Sequence, residues 1–510
     1  MKKVLDKIGR KEIVIAIGLV LLALGIRIYN LEGHSLYIDE ILWMGRGKQI
    51  VFAYKQLNMD FFRNGGWWFL EKAASLGIPM GFLVGLVEVL FVPHQSSFSL
   101  GWLPDITGAR LPAVVIGSLF VGVTYWLVQK ENKLLALTVG LMLLVDPLSV
   151  HLSRWAHQDM FLAVTSFLSV VLFIKAENKW WFAISGLFLA LAALTKPQAV
   201  LIPITTLVFV LTGKNRVGGL KKWFGWAVFG VVLTSLLFPY LWPNPVANYL
   251  KYVFHIGREV NVGHLNIFAG EVTPNPPPYY YLVTGPLHMP EGMLVGLILA
   301  IIGAGYWIRK GRVNISGIDL AGMVYVTTYL LIMSFSEKKL GVRYIYPIWP
   351  YLIYWAAKGW LMVIRRVKAS WKGVVLGAAL LPSIWGLVVY SPNYYLYHNS
   401  LISSQKDQWL ELVGVCDGVK PAIEYLGERV KDSKLMLLSC GVTAQYYSGY
   451  TIDYTDKVAD IDEVDYIVTE PQQSTRYQID EGIFLENGFR LEREIEFAGF
   501  KLARIYSRNQ

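Results

Sequence analysis

Residues 31–46, LEGHSLYIDEILWMGR, place two adjacent carboxylates, Asp39 and Glu40, just beyond the first long apolar run of the chain. Neighbouring residues project about 100° apart on a helix, so these two carboxylates should have different roles. For an arbitrary Asp-Glu pair, a solvated loop is the ordinary interpretation. Here apolar residues flank the pair, and carboxylates in such a setting at a membrane boundary are often functional. We therefore treat the pair as a candidate functional site.

The 510-residue chain is too apolar for one soluble core, since 54% of its residues are hydrophobic and its mean hydropathy is positive. It is predicted to be a polytopic membrane protein. The net charge of +10 could suggest a nucleic-acid partner, but the basic residues cluster in short loops between apolar runs, as the positive-inside rule describes. We therefore expect membrane lipids, and no nucleic acid, as partners. The basic N-terminus precedes an apolar run without a small-residue cleavage site, which predicts a retained first helix and a cytoplasmic N-terminus.

Apolar runs long enough to span a bilayer recur along the chain. About eleven are present, at 13–29, 110–128, 134–150, 160–175, 180–195, 198–213, 223–241, 291–308, 319–335, 344–364 and 373–391. A further segment, 76–92, contains Pro79 and Glu88. If it crossed the membrane, the N-terminal basic cluster would lie opposite the other basic clusters, against the positive-inside rule. We therefore predict a juxtamembrane helix there, within a long outer loop at 31–109.

Two domains follow from this topology. Residues 1–392 are predicted to form a transmembrane catalytic domain, and residues 393–510 a small extracytoplasmic α/β domain on the cell membrane. In the second domain KPAIEYLGERV predicts a helix, and KLMLLS, DYIVTE, FRLEREIEF and FKLARIY predict strands. Both cysteines, Cys416 and Cys440, lie in this tail. One disulfide between them is an open alternative for a domain outside the cytosol.

Charged residues also accumulate at the predicted outer ends of later helices. Arg154 and Asp159 lie in HLSRWAHQDMF, 151–161, where an arginine suits a phosphate or carboxylate. The alternative is that the two pair with each other or with a lipid headgroup. Lys196 precedes the helix-breaking Pro197 and either snorkels to the interface or contacts a lipid phosphate.

Three basic residues, Lys338, Lys339 and Arg343, lie together in SFSEKKLGVRYIYP, 334–347, against the general inside bias. The phosphate of a lipid-linked substrate would explain them, and so would an anionic headgroup patch. The segment 273–290, TPNPPPYYYLVTGPLHMP, cannot be a regular span because consecutive prolines remove hydrogen-bond donors. At membrane depth such backbone must be buried in protein or line a cavity, so we predict a wall of a substrate groove.

No zinc motif is present, because the spacings of His255, Glu259, His264 and Glu271 match none. We therefore predict no metal site and no certain cofactor, with a divalent metal as an open alternative.

These segments together resemble the GT-C superfamily of membrane glycosyltransferases. Within it they resemble glycosyltransferase family 39, which includes protein O-mannosyltransferases, with lipid A aminoarabinose transferases as close relatives. The similar segments, in consistent order, are YIDE, GARLPAVVIGSLF, LSRWAHQD, ALTKP and KKLGVRYIYPIWP. The chain departs from the family where GIPMGFL, 77–83, replaces a His-Pro-Pro or Pro-Pro-Leu element, and at Val-Cys-Asp-Gly, 415–418. These departures bear on the donor and acceptor more than on the fold.

The resemblance implies an inverting transfer of a single sugar, mannose by the family's pattern, from a polyprenyl phosphate to a protein, glycan or lipid acceptor at the outer membrane face. It implies Asp39 as the base and Glu40 as a residue that orients the acceptor or the loop. Cations would stabilise the negative charge of the departing phosphate. The candidates for this substrate and phosphate site are Arg154, Asp159, Lys196, Lys338, Lys339 and Arg343.

Two other classes of function were weighed against an enzyme. A transporter or flippase of lipid-linked sugars would also use outer basic residues, but it predicts charges near the midplane and symmetric halves, and the sequence shows neither. An assembly protein that binds partners through its tail would leave Asp39 and Glu40 unexplained.

Overall fold

The structure of the chain is a computed structural model. It describes residues 10–51 apart from 38, 42, 45–46 and 48–49; residues 77–91; residues 106–250 apart from 214, 239–240, 243, 245 and 249; residues 263–401 apart from 313–314; and residues 415–508 apart from 432, 438–439 and 449–452.

Helices occur at each of the apolar runs predicted from the sequence. The helices described before residue 390 are α1 (Arg10–Ile28), α2 (Ile78–Phe91), α3 (Ile106–Val128), α4 (Lys133–Val145), α5 (Pro147–Leu152), α6 (Gln158–Lys175), α7 (Lys179–Ala193), α8 (Leu201–Thr212), α9 (Arg216–Leu237), α10 (Tyr280–Leu287), α11 (Glu291–Arg309), α12 (Gly317–Phe335), α13 (Trp349–Ile364) and α14 (Lys372–Val389). In the described part of the chain, six are long and apolar enough to cross a membrane: α3, α6, α9, α11, α12, and α14 with the turn before it. The helical membrane class is confirmed, and the number of eleven spans stays a prediction.

Two of the predicted runs are interrupted in ways that shape the candidate site. The run at 134–150 breaks at Asp146, whose carboxylate accepts hydrogen bonds from the backbone N (2.8 Å) and Oγ (2.6 Å) of Ser149 and so caps α5. Pro147 occupies the first turn of α5, where its missing N–H is tolerated. The run at 344–364 begins with a 3-10 helix, Val342–Ile348, because Pro347 and Pro350 restrict the backbone before α13. Both interruptions lead into segments that carry site residues.

Helix α6 lies at the centre of the helical part, packed against α3, α7, α8 and α12. Its residues are buried all round, as expected for a helix enclosed by others. Small hydroxyl residues connect it to its neighbours: the Ser169 hydroxyl donates to the Ser185 carbonyl (2.9 Å), and the Ser185 hydroxyl donates back (2.7 Å). By contrast, α1, α9, α11 and α14 expose large apolar side chains such as Leu21, Val231 and Ile301. Such faces suit a lipid environment.

Helix α2 confirms the helix predicted at 76–92. It packs against α3, and the backbone N–H of Gly77 just before it donates to the Thr195 carbonyl (2.9 Å). Ile78 packs with Leu194, Phe238 and Leu241. The helix is thereby attached to the ends of α7 and α9, and its juxtamembrane position stays a prediction.

The tail contains the sheet predicted from the sequence. Its strands are β3 (Lys434–Leu437), β4 (Asp453–Thr455), β5 (Tyr466–Thr469), β6 (Phe489–Phe497) and β7 (Phe500–Arg508), after a separate hairpin formed by β1 (Asn266–Phe268) and β2 (Glu271–Thr273). The order is β4-β3-β5-β7-β6, with β3 parallel to β4 and β5, and β7 antiparallel to β5 and β6. The three-residue strand β4 was not predicted, because it is short and begins with an aspartate. The tail helices are α15 (Val419–Leu426), α16 (Gly441–Ser448), α17 (Pro471–Arg476) and α18 (Gly482–Glu486).

Cys416 and Cys440 form a disulfide that joins the segment before α15 to the start of α16. The alternative left open by the sequence is therefore realised in the structure. The bridge is enclosed by the apolar core of the tail, which includes Leu437 and Val468.

The tail rests directly on the loop that follows α1. The Ser35 hydroxyl donates to the Asp417 carbonyl (2.9 Å), and the Lys420 ammonium donates to the Glu32 carbonyl (2.7 Å). From α16, the Thr443 hydroxyl donates to the Leu36 carbonyl (3.3 Å). The tail and the loop that carries Asp39 therefore lie at the same end of the helices.

Candidate active site

The two adjacent carboxylates lie in different surroundings. The Asp39 side chain is 32% exposed, whereas that of Glu40 is fully buried. Their separate environments agree with the expectation that neighbours on a helical segment serve different roles.

Glu40 holds the first loop to the helices around it. Its Oε1 accepts hydrogen bonds from Arg110 Nε (2.9 Å) and the Ala156 backbone N (2.9 Å). Its Oε2 accepts from Arg110 Nη2 (2.8 Å) and the Tyr37 backbone N (3.0 Å). Four donors from three segments occupy this buried carboxylate. Of the two roles that the sequence suggested, orientation of the loop fits this geometry and orientation of the acceptor does not.

Asp39 faces a guanidinium and an imidazole. Arg343 Nη1 donates to Asp39 Oδ2 (3.1 Å), and His157 Nε2 lies 3.6 Å from the same oxygen. Burial alone would raise the pKa of Asp39, but His157 and Arg343 outweigh burial and hold this pKa below its ordinary range. This partly exposed carboxylate is therefore ionised at neutral pH.

Arg343 is fixed by aromatic rings as well as by Asp39. Its Nη2 donates to the Tyr37 hydroxyl (3.1 Å), and its guanidinium lies over the rings of Tyr37 (5.0 Å) and Tyr344 (5.5 Å). The Tyr37 ring in turn stacks on Trp155 at 4.8 Å. These flat rings form a wall beside the Asp39–Arg343 pair.

A second carboxylate, Asp159, lies behind this pair at the start of α6. The Lys196 ammonium donates to Asp159 Oδ1, and His157 Nδ1 lies 2.9 Å from Asp159 Oδ2. The Lys196 ammonium also lies over the Tyr344 ring (4.9 Å). Lys196 is thus buried and paired, and the interpretation that it snorkels to an interface is wrong. The predicted alternative pair between Arg154 and Asp159 is wrong too, because Asp159 is paired with Lys196.

Arg154 lies away from these carboxylates. It is fully buried, and its Nη1 and Nη2 donate to the carbonyls of Tyr29 and Asn30, both at 2.6 Å. These carbonyls follow the end of α1, where Asn30 has a left-handed φ of 48°. We therefore reassign Arg154 from a phosphate ligand to a residue that fixes the start of the first loop.

The three basic residues at 338–343 separate in the structure. Lys339 is buried and donates to the Ser336 carbonyl (2.5 Å) and to Asn275 Oδ1 (3.4 Å), so it ties its own loop to the proline-rich segment. Burial lowers the pKa of Lys339. Lys338 is partly exposed, and Arg343 is the member of the three that contacts Asp39.

The proline-rich segment 273–290 is not a span, as predicted. It contains the short helix α10, and its Tyr280 is fully buried and accepts a hydrogen bond from the Gly341 backbone N (3.2 Å) through its hydroxyl. The segment is thus anchored to the 338–343 loop by a buried tyrosine, while Pro274, Pro278 and Tyr279 are exposed. Its role as a wall of a substrate groove stays a prediction.

The tail adds one further cation near this site. Arg476, at the end of α17, is largely buried and has its Nη2 2.9 Å from His264 Nδ1. Burial and the neighbouring Arg476 lower the pKa of His264, and the charges of Lys338 and Arg343 act in the same direction. Two cations of the 338–343 loop and one of the tail thus act on one imidazole.

Four of these residues were not selected from the sequence as site residues: Tyr37, Arg110, His157 and Arg476. The signal for His157 was available, since it lies two residues before Asp159 in the same segment. For Arg476 nothing in QQSTRY, 472–477, indicates a site. Among the described residues, no group of three or more His, Cys, Asp or Glu is arranged to hold a metal ion. His255 and Glu259 lie outside the described residues.

Solved structures of two other proteins have the same architecture. ArnT from Cupriavidus metallidurans in the apo state superposes with a TM-score of 0.52 at 14% identity, over 96% of this chain and 97% of that one. The chain has the GT-C fold. The same enzyme bound to undecaprenyl phosphate gives a TM-score of 0.51 at 14% identity, over 98% of each chain. The Archaeoglobus fulgidus oligosaccharyltransferase AglB, in complex with an inhibitory peptide and a dolichol-phosphate, gives 0.55 at 12% identity, over 94% of this chain and 72% of that one.

Sequence comparison supports the same assignment over a shorter region. Residues 100–242 match the model of the dolichyl-phosphate-mannose-protein mannosyltransferase family. No curated protein matches the chain significantly. The resemblance to the GT-C superfamily, noted from the sequence, is therefore confirmed at the level of the fold.

Proposed function

We propose that the protein transfers a single sugar, with inversion, from a polyprenyl-phosphate donor to a hydroxyl of a protein, glycan or lipid acceptor at the outer membrane face. The observation that carries this proposal is the partly exposed Asp39, ionised and paired with Arg343, at the end of a GT-C helical assembly. An inverting transfer needs one carboxylate to remove the acceptor proton on the face opposite the leaving group. In this proposal Asp39 is that carboxylate.

The departing lipid phosphate gains negative charge as the sugar leaves, and fixed cations stabilise that charge. Arg476 Nη2 lies 2.9 Å from His264 Nδ1, and the charges of Lys338 and Arg343 lower the pKa of the same imidazole, so this region favours an anion. We propose these residues as the phosphate site. Lys196 is paired with Asp159, and Lys339 and Arg154 donate to backbone carbonyls, so we propose that these three hold the segments around the site.

Mannose is the sugar that we propose, because the matching family is described by a mannosyl donor. The half-buried rings of Tyr37 and Tyr344 beside Arg343 suit contact with a sugar. We further propose that the N-terminus is cytoplasmic and that the tail lies outside, on the side of Asp39.

The test is consumption of donor by the purified protein in lipid discs, with a panel of polyprenyl phosphates that carry mannose, glucose or aminoarabinose. Wild-type protein should consume the mannosyl donor in the presence of an acceptor extract, and Asp39→Asn should reduce the rate at least ~100-fold. Asp456→Asn, an exposed aspartate in the tail, is the matched control and should retain the wild-type rate. If no donor in the panel is consumed with any extract, the proposed function is refuted.

A further inference from the structure

We propose that Arg154, His34 and His151 form a binding site for a small monovalent anion such as chloride, behind the first loop. The anion neutralises Arg154 and so stabilises the start of that loop. This site is separate from Asp39, and it does not depend on the proposed transfer reaction.

Arg154 is a buried cation whose contacts contain no countercharge. It is fully buried, and burial lowers its pKa to about 10, so it is still charged at neutral pH. Its Nη1 and Nη2 donate to two uncharged carbonyls, and no ion pair joins it to a carboxylate in the described part of the chain. The other groups that act on its pKa are Tyr394 and Arg110, and neither is an anion at neutral pH. A buried charge without a partner is costly, so Arg154 calls for an anion.

The neighbouring buried arginines already have carboxylates of their own. Arg110 Nη2 lies 2.8 Å from Glu40 Oε2. Asp146 is the carboxylate whose charge acts on Arg27. All three arginines are 0% exposed, and these two pairs each sum to zero charge. One positive charge, that of Arg154, is therefore left over.

Two imidazoles beside Arg154 supply further N–H groups. The rings of His34 and His151 lie 5.3 Å apart, and the Arg154 backbone N donates to the His151 carbonyl (2.8 Å). Within the described ranges, neither nitrogen of either ring has a hydrogen-bond partner, and Arg154 Nε has none. Burial lowers the pKa of both imidazoles, so each ring is neutral and carries one N–H. Buried N–H groups without partners indicate an ordered water or ion, and the excess charge of Arg154 favours an anion.

The tail does not supply the missing negative charge. Lys420 acts on His34 as a cation, and the carboxyl group of Asp417 lies near Arg110. Burial raises the pKa of Asp417 to about 7, so this carboxyl group is only partly ionised at neutral pH. It therefore does not outweigh Lys420.

Aromatic rings enclose the site and limit the size of its ligand. The Arg154 guanidinium lies over the Tyr394 ring (5.2 Å), and the His151 ring lies 4.4 Å from Trp155 and 5.3 Å from Tyr395. These five residues are each at most 6% exposed. Such enclosure disfavours a lipid phosphate, which carries its chain with it. The single excess charge matches a monovalent ion.

The anion acts on the first loop through Arg154. This residue holds the carbonyls of Tyr29 and Asn30, which are exposed and begin the loop. The adjacent Trp155 stacks on Tyr37 of the same loop at 4.8 Å. Chloride should therefore stabilise the folded protein.

The test is thermal unfolding of the purified full chain in detergent, with chloride replaced stepwise by gluconate at constant ionic strength. Chloride should raise the unfolding temperature by at least about 2 °C, and the rise should saturate. His151→Phe keeps a ring but removes both nitrogens, so its half-saturating chloride concentration should be at least ~10-fold higher. Arg154→Met should show no chloride dependence. Arg490→Met changes an exposed arginine of β6 and, as the matched control, should respond like wild type.

A crystal structure with bromide in place of chloride locates the ion. An anomalous peak is expected within about 3.5 Å of Arg154 Nε. Equal unfolding temperatures in chloride and gluconate would overturn the site, and so would water without bromide at Arg154. A wild-type chloride response in His151→Phe would place the ion elsewhere, and this variant keeps the test valid if Arg154→Met does not fold. None of these measurements uses donor consumption, so failure of the anion site and failure of the proposed function are distinguishable.

Discussion

Replacing Glu40 by glutamine is expected to destabilise the protein by about 3–5 kcal/mol, the range for removing one partner of a buried ion pair. Glutamine keeps the size of the side chain, and its carbonyl oxygen can still accept from Arg110 Nε and the Ala156 backbone. Its NH₂ group, however, replaces the oxygen that accepts from Arg110 Nη2 (2.8 Å) and the Tyr37 backbone N (3.0 Å). Two buried donors then face a donor, and the Arg110 guanidinium loses its countercharge.

The assay is thermal unfolding of the purified variant in detergent, alongside donor consumption at a temperature where the variant is folded. Arg110→Met and the double variant complete a thermodynamic cycle. Because the two side chains are paired, the double variant should lose less stability than the sum of the single losses. The turnover rate per folded molecule of Glu40→Gln should stay within about tenfold of wild type, because Glu40 holds the loop that carries Asp39 and does not contact the substrate.

The opposite pattern would refute this reasoning. A Glu40→Gln variant with wild-type stability and a strongly reduced rate would mean that Glu40 contacts the acceptor during the reaction. In that case the four hydrogen bonds to Glu40 would not be what maintains the loop.

Four further outcomes are expected. Arg343→Lys keeps the charge but cannot hydrogen-bond to Asp39 and to the Tyr37 hydroxyl at the same time. In steady-state kinetics kcat/KM should therefore fall ~10–100-fold, which corresponds to about 1.4–2.7 kcal/mol. A wild-type kcat/KM would contradict the assignment of Arg343 to the active site. Arg154→Met should lower thermal stability by about 2 kcal/mol through two unpaired carbonyls while leaving the affinity for polyprenyl phosphate unchanged, and a selective loss of affinity would restore its role as a phosphate ligand. The Cys416→Ser and Cys440→Ser double variant opens a loop with a sequence separation of 24 and should cost about 3 kcal/mol in the unfolding of the tail; equal transitions with and without reductant in the wild type would argue against the bridge. Burial raises the pKa of Asp417 to about 7, so the folded tail binds a proton that the unfolded chain has released, and stability should rise as the pH falls from 7 towards 4; Asp417→Asn should remove this dependence in denaturation measured across that range.

The helices were predictable because each needs only a long apolar run, and such runs are properties of neighbouring residues in the sequence. Breaks at Asp146 and before Pro347 were missed because the flanking residues are equally apolar. In the tail, strands such as β6 could be predicted because polar and apolar residues alternate along them. The short strand β4 has no such pattern and forms by pairing with β3. The local sequence pattern therefore predicts which helices and strands form. Contacts with neighbouring elements decide where each one ends.

The candidate site shows the same division. Asp39 and Arg343 are 304 positions apart, yet both were predicted, because each is a charge placed at the end of an apolar run. Arg154 satisfied the same rule and proved to bind chain carbonyls. Nothing local separates the two arginines. The difference arises from which side of the packed helices each faces, and this depends on residues over a hundred positions away.

Because the tail contacts the first loop, the helical region and the tail depend on each other and cannot be exchanged as independent modules. A chain ending at residue 392 would leave the carbonyls of Glu32 and Leu36 without the donors that Lys420 and Thr443 supply. It would also uncover the segment that leads directly into Asp39. Replacing the tail by one of another sequence would therefore change the shape of the loop that carries Asp39, unless these backbone partners were rebuilt.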